Sequence, residues 1–170
     1  MNIATIIRVS GVVLPDVVDL IGRGTDFWKG PLDGDGRDGD YVRDLIACDL
    51  AEIDTLKLTH DTFLVARETA MTGLERLQRL EALRHKGWFI PGAALALAFK
   101  ERPSLYPSLW KEPVHGSALV ISFDGQVFRS VTGKPCTIHS HWDGRRVNLH
   151  YSSLLAERGR RNPSALLKAS

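Results

Sequence analysis

Between Ser117 and Tyr151 apolar side chains alternate with polar or small ones, and Asp-Gly occurs twice, at Asp124-Gly125 and Asp143-Gly144. Strand side chains alternate between faces, and Asp-Gly is a favoured centre of a tight hairpin. The pattern predicts an antiparallel meander of about four strands over residues 117–151, with Gly133, Lys134 and Pro135 turning the chain between the two hairpins. Nothing else in the chain restricts the fold so tightly.

Upstream, the apolar period changes. Val42, Ile46, Leu50 and Ile53 recur at three and four residues, which predicts a helix over about 41–57. A second, longer helix is expected over 61–86, capped by Thr59 or Asp61, ended by Gly87, and carrying Phe63, Ala66, Ala70, Leu74 and Leu77 on one face. A short alanine-rich helix from Ala93 to Lys100 is stopped by Pro103. The arm that follows, RPSLYPSLWKEP, wants burial for Leu105, Tyr106, Leu109 and Trp110. Ile3 to Leu14 is β-branched and suits a strand able to join the sheet, whereas residues 22–40 are so dense in glycine that a loop is expected. Helices grouped before strands give an α+β class, with the two main helices packed on one face of the meander.

At 170 residues, 44% of them hydrophobic and 25% charged, the chain has matter for one domain with one core, and its composition excludes a disordered chain. The longest weakly interrupted apolar run, Ile90 to Phe99, contains Pro91 and is half the length of a membrane span, so no membrane association is expected. Arg8 interrupts the N-terminal apolar stretch, and Cys48 and Cys136 stand in no disulfide or metal-ligand spacing. A cytoplasmic chain with reduced thiols is the expectation.

Charge is segregated along the sequence. Residues 1–60 carry six Lys or Arg against eleven Asp or Glu, and residues 61–170 carry sixteen against nine. The excess ends in a basic tail at 156–170. Arg129, Lys134, Arg145, Arg146, Arg158, Arg160 and Arg161 form a candidate surface for a nucleic acid or a protein partner, with Phe27 and Trp28 of the glycine-rich loop as further anchors.

The second hairpin concentrates the chemistry. A two-residue turn at Asp143-Gly144 pairs His139 with Asn148 and Thr137 with His150; a four-residue loop pairs His139 with His150. Either way, one face holds Thr137, His139, His141, Arg146, Asn148 and His150, and the other holds Cys136, Ile138, Ser140, Trp142, Arg145, Val147, Leu149 and Tyr151. Three histidines on one face resemble a tri-histidine zinc site in geometry, which would make the hairpin the centre of a metal-dependent hydrolase or nuclease. Against this, the cluster lacks an acidic base and contains Arg146. The simplest account is a solvated outer face of a sheet. Asp33, Asp35 and Asp38 fail the calcium-loop pattern, and no Gly-x-Ser-x-Gly or complete phosphate loop is present. The expected function is therefore binding, as an accessory protein engaging through its basic C-terminal region, with no cofactor; the zinc enzyme is the alternative.

Overall fold

The computed structural model describes residues 6–8, 26–27, 52–54, 71–84, 86, 88–113, 116–158 and 162–168. The fold is α+β. Three long antiparallel strands carry it: β6 (Val120–Arg129), β7 (Pro135–Trp142) and β8 (Val147–Ser153). Between β6 and β7 the chain turns through residues 130–134, where Ser130 N donates to Lys134 O at 2.8 Å and Gly133 adopts φ +76°. That left-handed conformation is the reason for a glycine there. A four-residue loop at 143–146 joins β7 to β8.

The first Asp-Gly is not a turn. Asp124 and Gly125 lie inside β6, which runs straight through to Arg129 with a register irregularity between Phe123 and Phe128. The meander thus has three strands rather than four. Gly125 N donates to Pro91 O at 3.1 Å, and a Cβ on Gly125 would stand 2.1 Å from the Ile90 carbonyl oxygen. A glycine inside a strand serves close backbone approach as well as turning, and here it admits the chain entering the alanine-rich helix.

The glycine-rich region adds an edge strand. In β2 (Asp26–Phe27), Asp26 pairs with Arg129 and Phe27 with Phe128, giving the sheet order β2-β6-β7-β8. The loop expected at 22–40 is corrected at these two residues; the rest of it, Trp28 included, lies outside the described residues. Farther along the same edge, Ser122 N donates to Pro163 O and Ala165 N to Ser122 O, both at 2.8 Å, in a parallel bridge between Ser122 and Ser164. The tail expected at 156–170 is therefore built into the molecule over residues 163–166, which are buried. β9 (Glu157–Arg158) pairs with β4 (Met71–Thr72), and β10 (Leu167–Lys168) with β5 (Trp88–Phe89).

Two other expectations are corrected. β1 (Ile6–Arg8) pairs not with the main sheet but with β3 (Glu52–Asp54), so residues 52–54 of the helix expected at 41–57 are strand. A three-residue strand whose partner is distant in sequence leaves no periodic trace, and its pairing overrides local spacing. The helix expected over 61–86 is strand at Met71 and Thr72, and α1 (Gly73–Arg84) starts directly after them. Thr72 Oγ1 accepts from Glu75 N at 3.3 Å, while Glu75 Oε2 accepts from Thr72 N at 2.7 Å. This reciprocal capping box satisfies two end groups and fixes the start; the Thr72 N–H and the Thr72 hydroxyl, the latter at 2.9 Å, both donate to Oε2 and hold the Glu75 carboxyl below its usual range. Residues 61–70 lie outside the described residues.

The alanine-rich helix is observed as α2 (Ala93–Glu101), followed by a 3-10 turn at Pro103–Leu105 and the single turn α3 (Ser108–Lys111). The arm buries its apolar groups as its composition demands: Tyr106 and Trp110 are buried, and Leu105 and Leu109 pack against the core. That core joins α2 to the apolar sheet face, Ile121, Phe123, Phe128, Cys136, Ile138 and Val147. A smaller cluster gathers Leu77 and Leu80 of α1 with Ile90, Val127, Leu154 and Leu166. Val127 neighbours Phe128 on β6, so strand alternation puts it on the opposite face. The helices α1 and α2 consequently lie on opposite faces of the sheet; of the helix expected at 41–57, all but residues 52–54 lies outside the described residues.

Candidate functional site

The register between β7 and β8 decides the site. Trp142 pairs with Val147, His141 with Asn148, His139 with His150 and Thr137 with Ser152. The face arithmetic holds, in its four-residue-loop form, and the three histidine rings meet. His139 and His150 stack with centroids 5.5 Å apart and planes 14° apart, and His141 lies 5.2 Å from His150. Trp142 and Tyr151 pack on the apolar side, Trp142 stacking on Tyr106 at 6.3 Å beneath Lys111 Nζ.

This face has two halves of different character. Its inner half is buried, which corrects the solvated-face reading: Ser122, Asp124, Thr137, His139 and Ser164 are at most 2% exposed. Buried polar groups need partners, and these have them. Thr137 Oγ1 donates to Asp124 Oδ1 at 2.9 Å, and Ser164 Oγ to Asp124 Oδ2 at 2.6 Å. His139 lies between two hydroxyls, with Ser122 Oγ 3.2 Å from Nδ1 and Ser152 Oγ 2.7 Å from Nε2. Both ring nitrogens thus meet serines. Among the described residues no group of three or more His, Cys, Asp or Glu stands where it could hold a metal ion, so the geometry lends nothing to zinc at His139, His141 and His150.

The outer half is open. His141 and Asn148 are half-buried, His150 is exposed, and the loop raises Arg145 and Arg146 beyond them. Asp143, the carboxylate of this loop, is turned to its own backbone: Oδ1 accepts from Arg145 N at 3.0 Å and Arg146 N at 2.9 Å, and Oδ2 from Asn148 Nδ2 at 2.7 Å. Arg146 Nε adds a contact at 3.3 Å. Those donors hold the Asp143 carboxyl far below its usual range, so it stays ionised.

The expected basic surface divides. Arg145 and Arg146 sit at one end of the meander, and Arg129 and Lys134 flank the turn at the other, roughly 23 Å away at 3.3 Å per strand residue. Arg158 pairs with Met71 in β9; Arg160 and Arg161 lie outside the described residues. The backbone of Phe27 pairs with that of Phe128 at the sheet edge. Sequence reading overlooked Ser122, Asp124, Ser152 and Ser164. Ser152 was within reach, since it shares the parity of His150; Ser122 and Asp124 alternate with Ile121 and Phe123, but an assumed turn concealed them. Ser164 carried no signal.

Partial enclosure of the His150 ring, and secondarily the charge of His141, lowers its pKa from the usual 6.5. A depressed histidine value means that the unfolded chain takes up the proton first, so this contribution to stability is present above pH 6.5 and is lost as pH falls toward the folded value. We expect the melting temperature to drop between pH 7 and 5, and His150→Gln to flatten that drop. An unchanged pH profile in the variant would place the acid sensitivity elsewhere.

No family model, curated protein or solved structure matches the chain. Among the described residues no helix is long and apolar enough to cross a membrane.

Proposed function

We propose that the protein works by binding a polyanionic partner, nucleic acid in the first instance, through the outer half of the histidine face and the 143–146 loop. The observation that carries this reading is the treatment of Asp143. The loop's carboxylate is consumed by its own N–H groups, so the surface presents to solvent the guanidinium of Arg145, most of that of Arg146, and the imidazole of His150. Such groups suit phosphate oxygens, and positioning by phosphate contacts needs no aromatic stacking. The accessory role expected from the composition fits a chain whose partner is held by charge. Arg129 and Lys134, at the far end of the sheet, supply a second point of contact for a long polyanion.

Binding of single-stranded and duplex oligonucleotides should fall steeply with salt. Replacing Arg145 and Arg146 together by alanine should weaken it for every sequence and reduce the slope of log K against log salt by about 1 to 2, since each lost phosphate contact removes about 0.7 to 0.9. Absence of binding at low salt, or binding indifferent to both arginines, would overturn the proposal.

A further inference from the structure

The hydroxyl of Ser152 and the imidazole of His139 are in a relationship that anion binding does not use. Ser152 Oγ is 2.7 Å from Nε2, and the opposite nitrogen, Nδ1, is 3.2 Å from Ser122 Oγ. A hydroxyl on a base whose other nitrogen is oriented by a third group is the arrangement that activates a nucleophilic serine. Three elements fix it: Ser122 on β6, His139 on β7 and Ser152 on β8 are held by neighbouring strand pairs, Ser122 opposite His139 and Thr137 opposite Ser152. His139 is 1% exposed, whereas Ser152 is half-buried. The base is thus shielded from water, and the hydroxyl lies where the face begins to open toward His150.

We propose that Ser152 is an activated nucleophile, with His139 as its general base and Ser122 as the positioning residue, and that this site hydrolyses small carboxylic esters. The tautomer required has Nδ1–H donating to Ser122 Oγ, which leaves the Nε2 lone pair for the Ser152 O–H. Ser152 Oγ bonds to the ester carbonyl carbon while its proton passes to Nε2. The carbon–oxygen bond to the alcohol then breaks, and Nε2 returns that proton to the departing oxygen. Water attacks the acyl-serine, giving a proton to Nε2; the carbon–Oγ bond breaks, the acid leaves, and Oγ is reprotonated. No oxidant, reductant or co-reactant besides water is needed. The imidazole of His150, stacked on that of His139 at the open side, is the group assigned to donate to the developing oxyanion. The acyl group must be small, because the inner side of the face, where Thr137 stands opposite Ser152, is fully buried. This activity does not depend on the polyanion reading, and either can fail alone.

A fluorophosphonate probe, incubated with the full chain, tests it. The expected result is a single adduct mapped by peptide mass spectrometry to Ser152, formed more slowly as pH is lowered. Ser152→Ala should abolish it, and His139→Gln should slow it by about a hundredfold or more. Because His139 is buried and its variant can fail to fold, Ser122→Ala gives the second arm: a folded protein, checked by circular dichroism, whose labelling rate falls and whose pH midpoint moves. Ser153→Ala, whose hydroxyl accepts from Leu155 N, should label as the parent does. An unlabelled folded parent, an adduct on any other serine, or a Ser122→Ala variant with the parent's rate and pH profile would overturn the proposal.

Discussion

Gly125→Ala should unfold this protein more readily than any other single-methyl change in the sheet. The added Cβ would meet the Ile90 carbonyl oxygen at 2.1 Å and the Pro91 carbonyl carbon and oxygen at 2.8 and 2.9 Å. All three are backbone atoms, so no rotamer change relieves the clash. Separating strand β6 from the Ile90-Pro91 segment breaks the hydrogen bond from Gly125 N to Pro91 O and pulls Ile90 from Val127, its neighbour in the smaller core. It also moves Asp124, to which Thr137 and Ser164 donate. We expect a loss of about 3 kcal/mol or more, at the upper end for overpacking, and a melting temperature lower by roughly 6 to 12 °C. Gly133→Ala provides the contrast: nothing lies within 4 Å of its added Cβ and only the positive φ is strained, so about 1 to 2 kcal/mol should be lost. Gly125→Asn separates the two meanings of Asp-Gly. Asparagine suits a hairpin turn, but at a backbone crossing it should be worse than alanine. A stable Gly125→Asn protein would restore the turn.

The same dipeptide thus shows where sequence reasoning succeeded and where it stopped. At Asp143-Gly144 the face assignment survived an unknown loop length, because two-residue and four-residue loops preserve parity; the contact among His139, His141 and His150 follows from that invariance. At Asp124-Gly125 the local signal was ambiguous, and the partner that resolves it, Ile90-Pro91, is remote. Helix boundaries failed for a comparable reason. The apolar spacing of Leu74 and Leu77 continued back through Ala70 and Ala66, while the stop lay in Thr72 and Glu75, a polar pair that a hydrophobic period ignores. The covering of the polar face was least legible. Residues 163–166 follow a run of arginines and resemble a solvated tail, yet Pro163, Ala165 and Leu166 are apolar and bury themselves. Once they do, Ser122, Asp124 and His139 cease to be surface groups and become partners that must be satisfied. The hydroxyl pair around His139 is a consequence of that burial as much as of the strand register.

Phe99→Ala should bring the second large loss, through the other face of the sheet. Phe99 is fully buried, edge-on to Tyr106 at 5.4 Å and to Trp110 at 5.7 Å, and tilted against Phe123 at 6.5 Å. Its ring is where α2, the proline-punctuated arm and the strand β6 meet. Truncation removes the transfer free energy of the ring and leaves a cavity that Tyr106 and Trp110, each edge-on to the other at 5.5 Å, cannot fill without losing their own geometry. The expected cost is about 3 to 5 kcal/mol by chemical denaturation. Phe99→Leu should recover most of it, falling short by about 0.5 to 1.5 kcal/mol for each lost edge contact. A loss below about 1 kcal/mol for alanine would mean that residues 103–111 do not clamp this core. The substitution also separates stability from chemistry. Strand alternation puts Phe99's neighbours Phe123 and Ile138 across the sheet from Ser122, His139 and Ser152, so Phe99→Ala, studied well below its lowered melting temperature, should still take the fluorophosphonate label on Ser152 at the parent's rate.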